Sequence, residues 1–274
     1  MKKLISGIRE FQSDYFDKNR SLFEQLGQGQ DPRVLFITCS DSRIDPNLIT
    51  QTDPGDLFVI RNAGNIVPPY GAANGGEGAS IEYAIHALNI DQIIICGHNH
   101  CGAMKGLLKL NELQADMPLV YDWLKHTEAT RRTVIENYGN YSGEELLEIT
   151  VAENILTQIE NIKTYPVVRS RLHQGRLNIY GWVYEIETGE ILAYDPSTHS
   201  FVTPHTQLYP EDGSNYQPGT YVHTYAPPVN VAQHREIHTP APVSLATTPA
   251  ANSSSSRLSA AQIDRIYRGS QPRK

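Results

Sequence analysis

Cysteine is scarce in this chain: three residues in 274, an odd number. That count excludes a disulfide framework and fits a reducing cytoplasm. Long apolar runs are absent as well. No stretch approaches the roughly 18 residues that a membrane-spanning helix needs. The basic-then-apolar start Met1-Lys2-Lys3-Leu4-Ile5 is interrupted by Arg9 and Glu10 before the apolar core of a secretory signal can form. Positive charge is in deficit, with 23 Lys/Arg against 30 Asp/Glu and a net charge of −7. The deficit lies in the body, because six of the basic residues but only four of the acidic ones follow Pro196. A body of that sign has no basic face for phosphates, so nucleic acid is not an expected partner. Hydrophobic residues make up 39%, a little low for a fully packed chain, so part of it is expected to lie outside the core.

What is present is an alternation of strand and helix. Leu4, Ile5, Ile8, Phe11, Tyr15, Leu22, Phe23 and Leu26 recur at helical spacing, which predicts a helical arm over residues 1–28 with Gly27 as its stop. Its aromatic stripe can cover its own sheet or a neighbouring subunit. Residues 34–38, 57–60 and 92–96 are continuous apolar runs, as expected of parallel strands buried on both faces. Asp45-Pro46 opens a short helix, Asp53-Pro54-Gly55-Asp56 makes a turn, residues 62–78 form a Gly- and Pro-rich loop, and residues 79–88 read as a helix. A short helix after Cys101, two longer ones over about 118–138 and 142–162, and a hairpin of 177–186 with 190–194 complete the body. Ser142 and Glu145 have capping-box spacing at the start of the second long helix. This order predicts an α/β fold over residues 1–196, a central, mostly parallel β-sheet flanked by helices.

Composition changes after Pro196. Eight of the 17 prolines fall between Pro204 and Pro249, and Ser253-Ser254-Ser255-Ser256 follows. Residues 197–256 therefore read as a Pro/Ser-rich, poorly ordered linker. Periodicity returns at Leu258, Ile263, Ile266 and Tyr267, predicting a short terminal helix within 257–274 that is suited to docking.

Two short runs carry the chemistry. Cys39-Ser40-Asp41-Ser42-Arg43 ends the first strand, and Gly97-His98-Asn99-His100-Cys101-Gly102 ends the third. Packing has no use for a thiol, a carboxylate and a guanidinium within five residues, since charged groups are rarely buried unless paired. Zinc favours four-coordinate sites of thiolate and imidazole, and a catalytic site keeps one position for water. Cys39, His98 and Cys101 supply three ligands, His98 and Cys101 from one tight turn and Cys39 from a neighbouring strand end. Two thiolates make the set soft, which disfavours magnesium and calcium. Cys96, inside an apolar strand, reads as packing, and His100 as a surface or supporting residue. Gly102 opens the helix after Cys101, so the free N–H groups there face the candidate site.

The paired motifs Cys39-x-Asp41-x-Arg43 and His98-x-x-Cys101 resemble those of the β-carbonic anhydrases. The resemblance covers roughly Leu4 to Tyr194, with further matches at Phe58-Val59-Ile60-Arg61-Asn62, Asn65-Ile66-Val67-Pro68-Pro69 and Ser80-Ile81-Glu82-Tyr83. It implies one zinc per chain and reversible hydration of CO2 to bicarbonate by zinc-bound hydroxide. It assigns Asp41 to orient the reacting water, Arg43 to hold Asp41 ionised, Phe58 and Tyr83 to line the substrate pocket and Gly102 to approach it. Because a second subunit completes that pocket in the family, a homo-oligomer built from dimers is expected. Ser40 stands where plant-type relatives carry Gln and reaches less far toward a bicarbonate. With its Pro-rich tail the chain looks like the carboxysomal enzymes of cyanobacteria, which implies a carboxysome location, a role in supplying CO2 to carbon fixation, and a scaffold partner for the tail. Two other readings use the same ligands: hydrolysis of carbonyl sulfide or carbon disulfide, and a non-catalytic scaffold stabilised by zinc.

Overall fold

The computed structural model describes residues 1–204 apart from Asn74. The expected terminal helix and nearly all of the expected linker lie outside the described residues.

The periodic N-terminus forms α1 (Lys2–Glu10), a π-helical turn over Phe11–Phe16, and α2 (Arg20–Leu26). None of these residues is buried. Phe11, Tyr15, Phe16 and Phe23 instead pack ring on ring, with centroids 4.9 to 6.2 Å apart. The stripe is therefore not spent on the chain's own sheet, and Leu4 stays 64% exposed.

The apolar runs become β1 (Val34–Cys39), β2 (Leu57–Asn62) and β3 (Gln92–His98), which pair in parallel and are joined by β4 (Asn178–Tyr184). Beyond β4 the sheet turns antiparallel through β5 (Ile191–Asp195) and β6 (Ser200–Val202), giving the order β2-β1-β3-β4-β5-β6. Three expectations need adjustment. β2 is an edge strand, so it is only partly buried and Val59 is exposed. The antiparallel part does not stop at 196, because Ser200–Val202 adds a strand against β5. The helix expected over 118–138 is broken.

The helices in between are α3 (Pro46–Thr50), α4 (Gly76–Glu82), α5 (Gly102–Leu108), α6 (Leu113–Asp116), α7 (Pro118–Leu124), α8 (Glu128–Asn137), α9 (Gly143–Ile162) and α10 (Pro166–His173). A 3-10 turn, Lys125–Thr127, separates α7 from α8 and leaves Thr127 fully buried, its hydroxyl donating to Asn154 Oδ1 of α9 at 2.8 Å. The capping box is not formed. Ser142 makes no side-chain cap bond, and the neighbouring Glu144 is engaged with His100.

Alternation along the strands sorts the core. Leu35, Ile37, Ile93 and Ile95 are fully buried in one large cluster with Ile81, Ile85, Met104, Leu107 and Ile155. Each such side chain contributes about 1.5–3 kcal/mol relative to exposure. Phe36, Ile94 and Cys96 form a smaller cluster edged by half-buried Tyr180, Trp182 and Tyr184. Helix α9 lies close on the sheet because β4 carries Gly181, where a Cβ would stand 2.7 Å from Ile155 Cγ2. Parallel pairing of β1 with β3 brings both carboxyl ends to one edge, where sites form in open α/β sheets. Among the described residues no helix is long and apolar enough to cross a membrane.

Candidate metal centre

Cys39 and His98 are the last residues of β1 and β3, and Cys101 immediately precedes α5. The backbone of His100 is left-handed (φ 51°), which turns the chain sharply enough to bring Cys101 back beside His98. All three side chains are buried, and one ligand atom from each lies within 4.8 Å of the others. Nδ1 of His98 lies 2.7 Å from the Asn99 carbonyl, which only a protonated Nδ1 can satisfy. The other nitrogen, Nε2, then carries a lone pair and is buried without a hydrogen-bond partner. A buried unpaired acceptor is costly, and two soft sulfurs beside it make the set one that zinc would satisfy.

The thiols are tuned as a pair. Donation from the Cys101 thiol lowers Cys39 to about 4, against burial, with further help from the Gly64 and Asp41 backbone N–H groups. Cys101 is pushed up by its bond to Cys39 and by burial, while the Met104 and Ala103 N–H groups oppose. The first turn of α5 thus serves the Cys101 sulfur. A thiol and a thiolate sharing one proton are ready to lose it to a dication. Cys96 differs: burial pushes it up to about 12, so it remains an inert thiol in the core.

Asp41 is gripped by Arg43. Nε donates to Oδ1 at 2.9 Å, Nη2 to Oδ2 at 2.8 Å, and the Arg43 backbone N–H to Oδ1 at 3.0 Å. Those guanidinium bonds hold the carboxyl well below the usual carboxylate range, with burial opposing. Oδ2 lies 3.8 Å from His98 Nε2, so the carboxylate borders the ligand cluster without entering it. Arg61 braces the same loop by donating to the Asp41 carbonyl at 2.7 Å and the Cys39 carbonyl at 3.2 Å.

Phe58 and Tyr83 meet with ring centroids 6.1 Å apart. Tyr83 remains 49% exposed. Gly102 opens α5 with nothing within 4 Å of where a Cβ would stand. The role of Asn99 and the partners of His100, itself expected as a surface or supporting residue, were not legible in the sequence. Asn99 accepts from the Ile186 N–H at 3.0 Å and donates to Glu187. His100 is held between Glu144 and Glu187, whose charges raise its pKa although burial, the largest single influence, resists. These partners are far apart in sequence, and a Glu on an exposed turn carries no signal of its role.

The carbonic anhydrase family profile matches residues 34–191. A carbonic anhydrase from Synechocystis sp. is 57% identical over 98% of this chain and 100% of its own length. The solved structure of the β-carbonic anhydrase CcaA is 67% identical, with a TM-score of 0.74 over 74% of this chain and 99% of that one. A tetrameric β-carbonic anhydrase structure from Sordaria macrospora is 28% identical, with a TM-score of 0.63 over 70% of this chain and 95% of that one. A match across more than half of the chain, joined to identity of this order along nearly its full length, places the chain in the β-carbonic anhydrase family.

Proposed function

We propose that this chain interconverts CO2 and bicarbonate at a zinc ion held by Cys39, His98 and Cys101. The observation that carries the proposal is the buried, unpartnered His98 Nε2 beside two buried cysteine sulfurs, with one ligand atom from each residue within 4.8 Å of the others. Zinc, when bound, supplies the Lewis acidity that makes water acidic near neutral pH. The chain does the rest. Asp41, kept ionised by Arg43, accepts a hydrogen bond at Oδ2 from the reacting water and aims its lone pair at CO2. Phe58 and Tyr83 offer CO2 an apolar wall. A scaffold stabilised by zinc has no use for the Asp41–Arg43 pair, which favours the catalytic reading. Purified protein is expected to carry one zinc per chain and to hydrate CO2 in a stopped-flow assay, to lose both on chelation, and to regain both with zinc. Faster turnover of carbonyl sulfide or carbon disulfide than of CO2 would replace this function with the hydrolase reading.

The exposed Tyr83 of the Phe58–Tyr83 wall and the unburied apolar arm support an oligomer built from dimers, in which a second copy completes the pocket. The tetrameric Sordaria macrospora relative is in line with this. Beyond β6, the rest of 197–256 acts as a linker and 257–274 as a docking peptide for a carboxysome scaffold protein, supported by the Pro/Ser-rich composition and the return of helical periodicity. CO2 released inside a shell beside its consumer is captured before it diffuses away. Truncation after residue 204 is expected to abolish co-sedimentation with carboxysome shells and leave CO2 hydration within about twofold; unchanged co-sedimentation would overturn the docking role.

A further inference from the structure

Gly64, in the turn after β2, donates its N–H to Cys39 Sγ at 3.4 Å. Its φ of +84° is a conformation that L side chains rarely adopt, and a Cβ there would stand 2.9 Å from Met104 Cε and 3.1 Å from Ala103 Cβ. The position is therefore reserved for a backbone that approaches the sulfur. Both peptide planes flanking Gly64 are held by side chains from other helices. On one side, Trp123 Nε1 donates to the Ala63 carbonyl at 2.8 Å. That carbonyl belongs to the same peptide unit as the Gly64 N–H. On the other side, Asn154 Nδ2 donates to the Gly64 carbonyl at 3.0 Å. Asn154 is itself immobilised. It is 1% exposed, and its Oδ1 accepts from Thr127 Oγ1 at 2.8 Å and from Gln158 Nε2 at 2.8 Å. Gln158 Oε1 also accepts from the Val67 N–H at 2.9 Å, which ties down the far end of the same turn.

We infer that Trp123 and Asn154 are positioning residues for the Cys39 sulfur, acting through the Gly64 peptide. The inference rests on the zinc reading proposed above. An N–H donor draws charge from a ligating thiolate, which weakens its donation to the ion and keeps the ion a stronger Lewis acid. The bond from Trp123 to Ala63 polarises that same peptide and strengthens its N–H as a donor. Asn154 prevents the next peptide from rotating and taking the N–H off the sulfur.

The test uses the full-length protein loaded with cobalt or with zinc. Trp123→Phe keeps a ring and removes the donor, and Asn154→Leu keeps the approximate shape and removes the amide. Each is expected to shift the thiolate-to-cobalt charge-transfer band to lower energy and, because a sulfur no longer held in place by the Gly64 N–H loses its orientation toward the ion and this outweighs its stronger donation, to speed zinc release to a chelator about tenfold. Thr130→Val is the comparison. Thr130 is fully buried and bonds Thr127 and Thr157, with no hydrogen bond of its own to Asn154 or Gly64. It is expected to lower Tm with the band and the release rate unchanged. A band and release rate in Trp123→Phe and Asn154→Leu equal to wild type, with only Tm lowered, would overturn the inference. Wild-type protein that takes up neither metal would instead refute the zinc reading itself, so the two failures are distinguishable.

Discussion

Cys39→Ala is expected to empty the centre of zinc and to lower CO2 hydration by at least about 10³-fold, or roughly 4 kcal/mol of transition-state stabilisation. The substitution removes one of three ligands and leaves His98 and Cys101, fewer than the three protein ligands of a catalytic zinc site. It also ends the proton sharing that holds Cys39 at about 4, so Cys101 is left as an ordinary buried thiol. The fold is expected to survive. Leu35 and Ile37, which anchor β1 in the large core cluster, are untouched, and the lost sulfur is small. Metal analysis, CO2 hydration and Tm on the same preparation separate the two effects. Cys96→Ala is the internal comparison, since Cys96 is also buried but lies in the smaller cluster on the other face. It is expected to keep zinc and activity and to lose about 1 kcal/mol of stability to a small cavity. Zinc retained near one per chain in Cys39→Ala would sink the assignment of Cys39.

The candidate ligand set was legible because two motifs occur together at the ends of buried strands; a lone Cys at such a place is more often packing. Cys39, His98 and Cys101 do converge, since β1 and β3 are parallel neighbours whose carboxyl ends share an edge. The Asp41–Arg43 pair was legible through the motif that carries the family resemblance; the geometry adds that Arg43 Nη2 also donates to the His100 carbonyl at 3.4 Å, a contact the motif does not announce. What stayed hidden depends on distant contacts. Asn154 lies 90 residues from Gly64 and Trp123 lies 60 from Ala63. On α9, Thr150, Asn154 and Gln158 follow one another at four-residue spacing, all buried. Hydropathy would turn such a polar stripe toward water, but here Asn154 and Gln158 bond the Lys125–Thr127 turn and the turn after β2, and Thr150 bonds the Leu146 carbonyl of its own helix, so every group finds a partner.

The misread elements have equally physical causes. An apolar run such as Leu57–Ile60 suggests burial on both faces, yet nothing in the run says that β2 ends the sheet. The 3-10 turn at Lys125–Thr127 interrupts a stretch with no Gly or Pro to announce it. It leaves Thr127 buried and bonded to Asn154, a tertiary demand that outweighs local helix propensity. Ser142 and Glu145 have the right spacing for a capping box, but spacing is a local rule. The neighbouring Glu144 is drawn to His100, 44 residues away.

Arg43→Ala is expected to lower CO2 hydration about 10²-fold, or roughly 2.7 kcal/mol, while zinc stays at one per chain. In the intact chain the guanidinium occupies both carboxylate oxygens of Asp41 and holds them 3.8 Å or more from the His98 nitrogen that faces the ligand cluster. Without it, the carboxylate gains nothing by staying back. A side-chain rotation brings it to the position that the reacting water needs, and the two compete. The pH dependence has a definite sign. Asp41 in the folded chain ionises below its ordinary value of about 3.9. Its pair with Arg43 therefore contributes fully above that value, and the contribution is lost only as pH falls through the lower folded value. In Arg43→Ala the carboxyl returns toward the ordinary range, so this acid-side contribution disappears, and the Asp41 resonance followed by NMR should titrate at higher pH than in wild type. Arg43→Lys keeps the charge and loses the bidentate fork, so it is expected to recover part of the rate, with Asp41 less firmly held. Activity of Arg43→Ala within twofold of wild type would mean that Asp41 is kept off the centre by something other than Arg43.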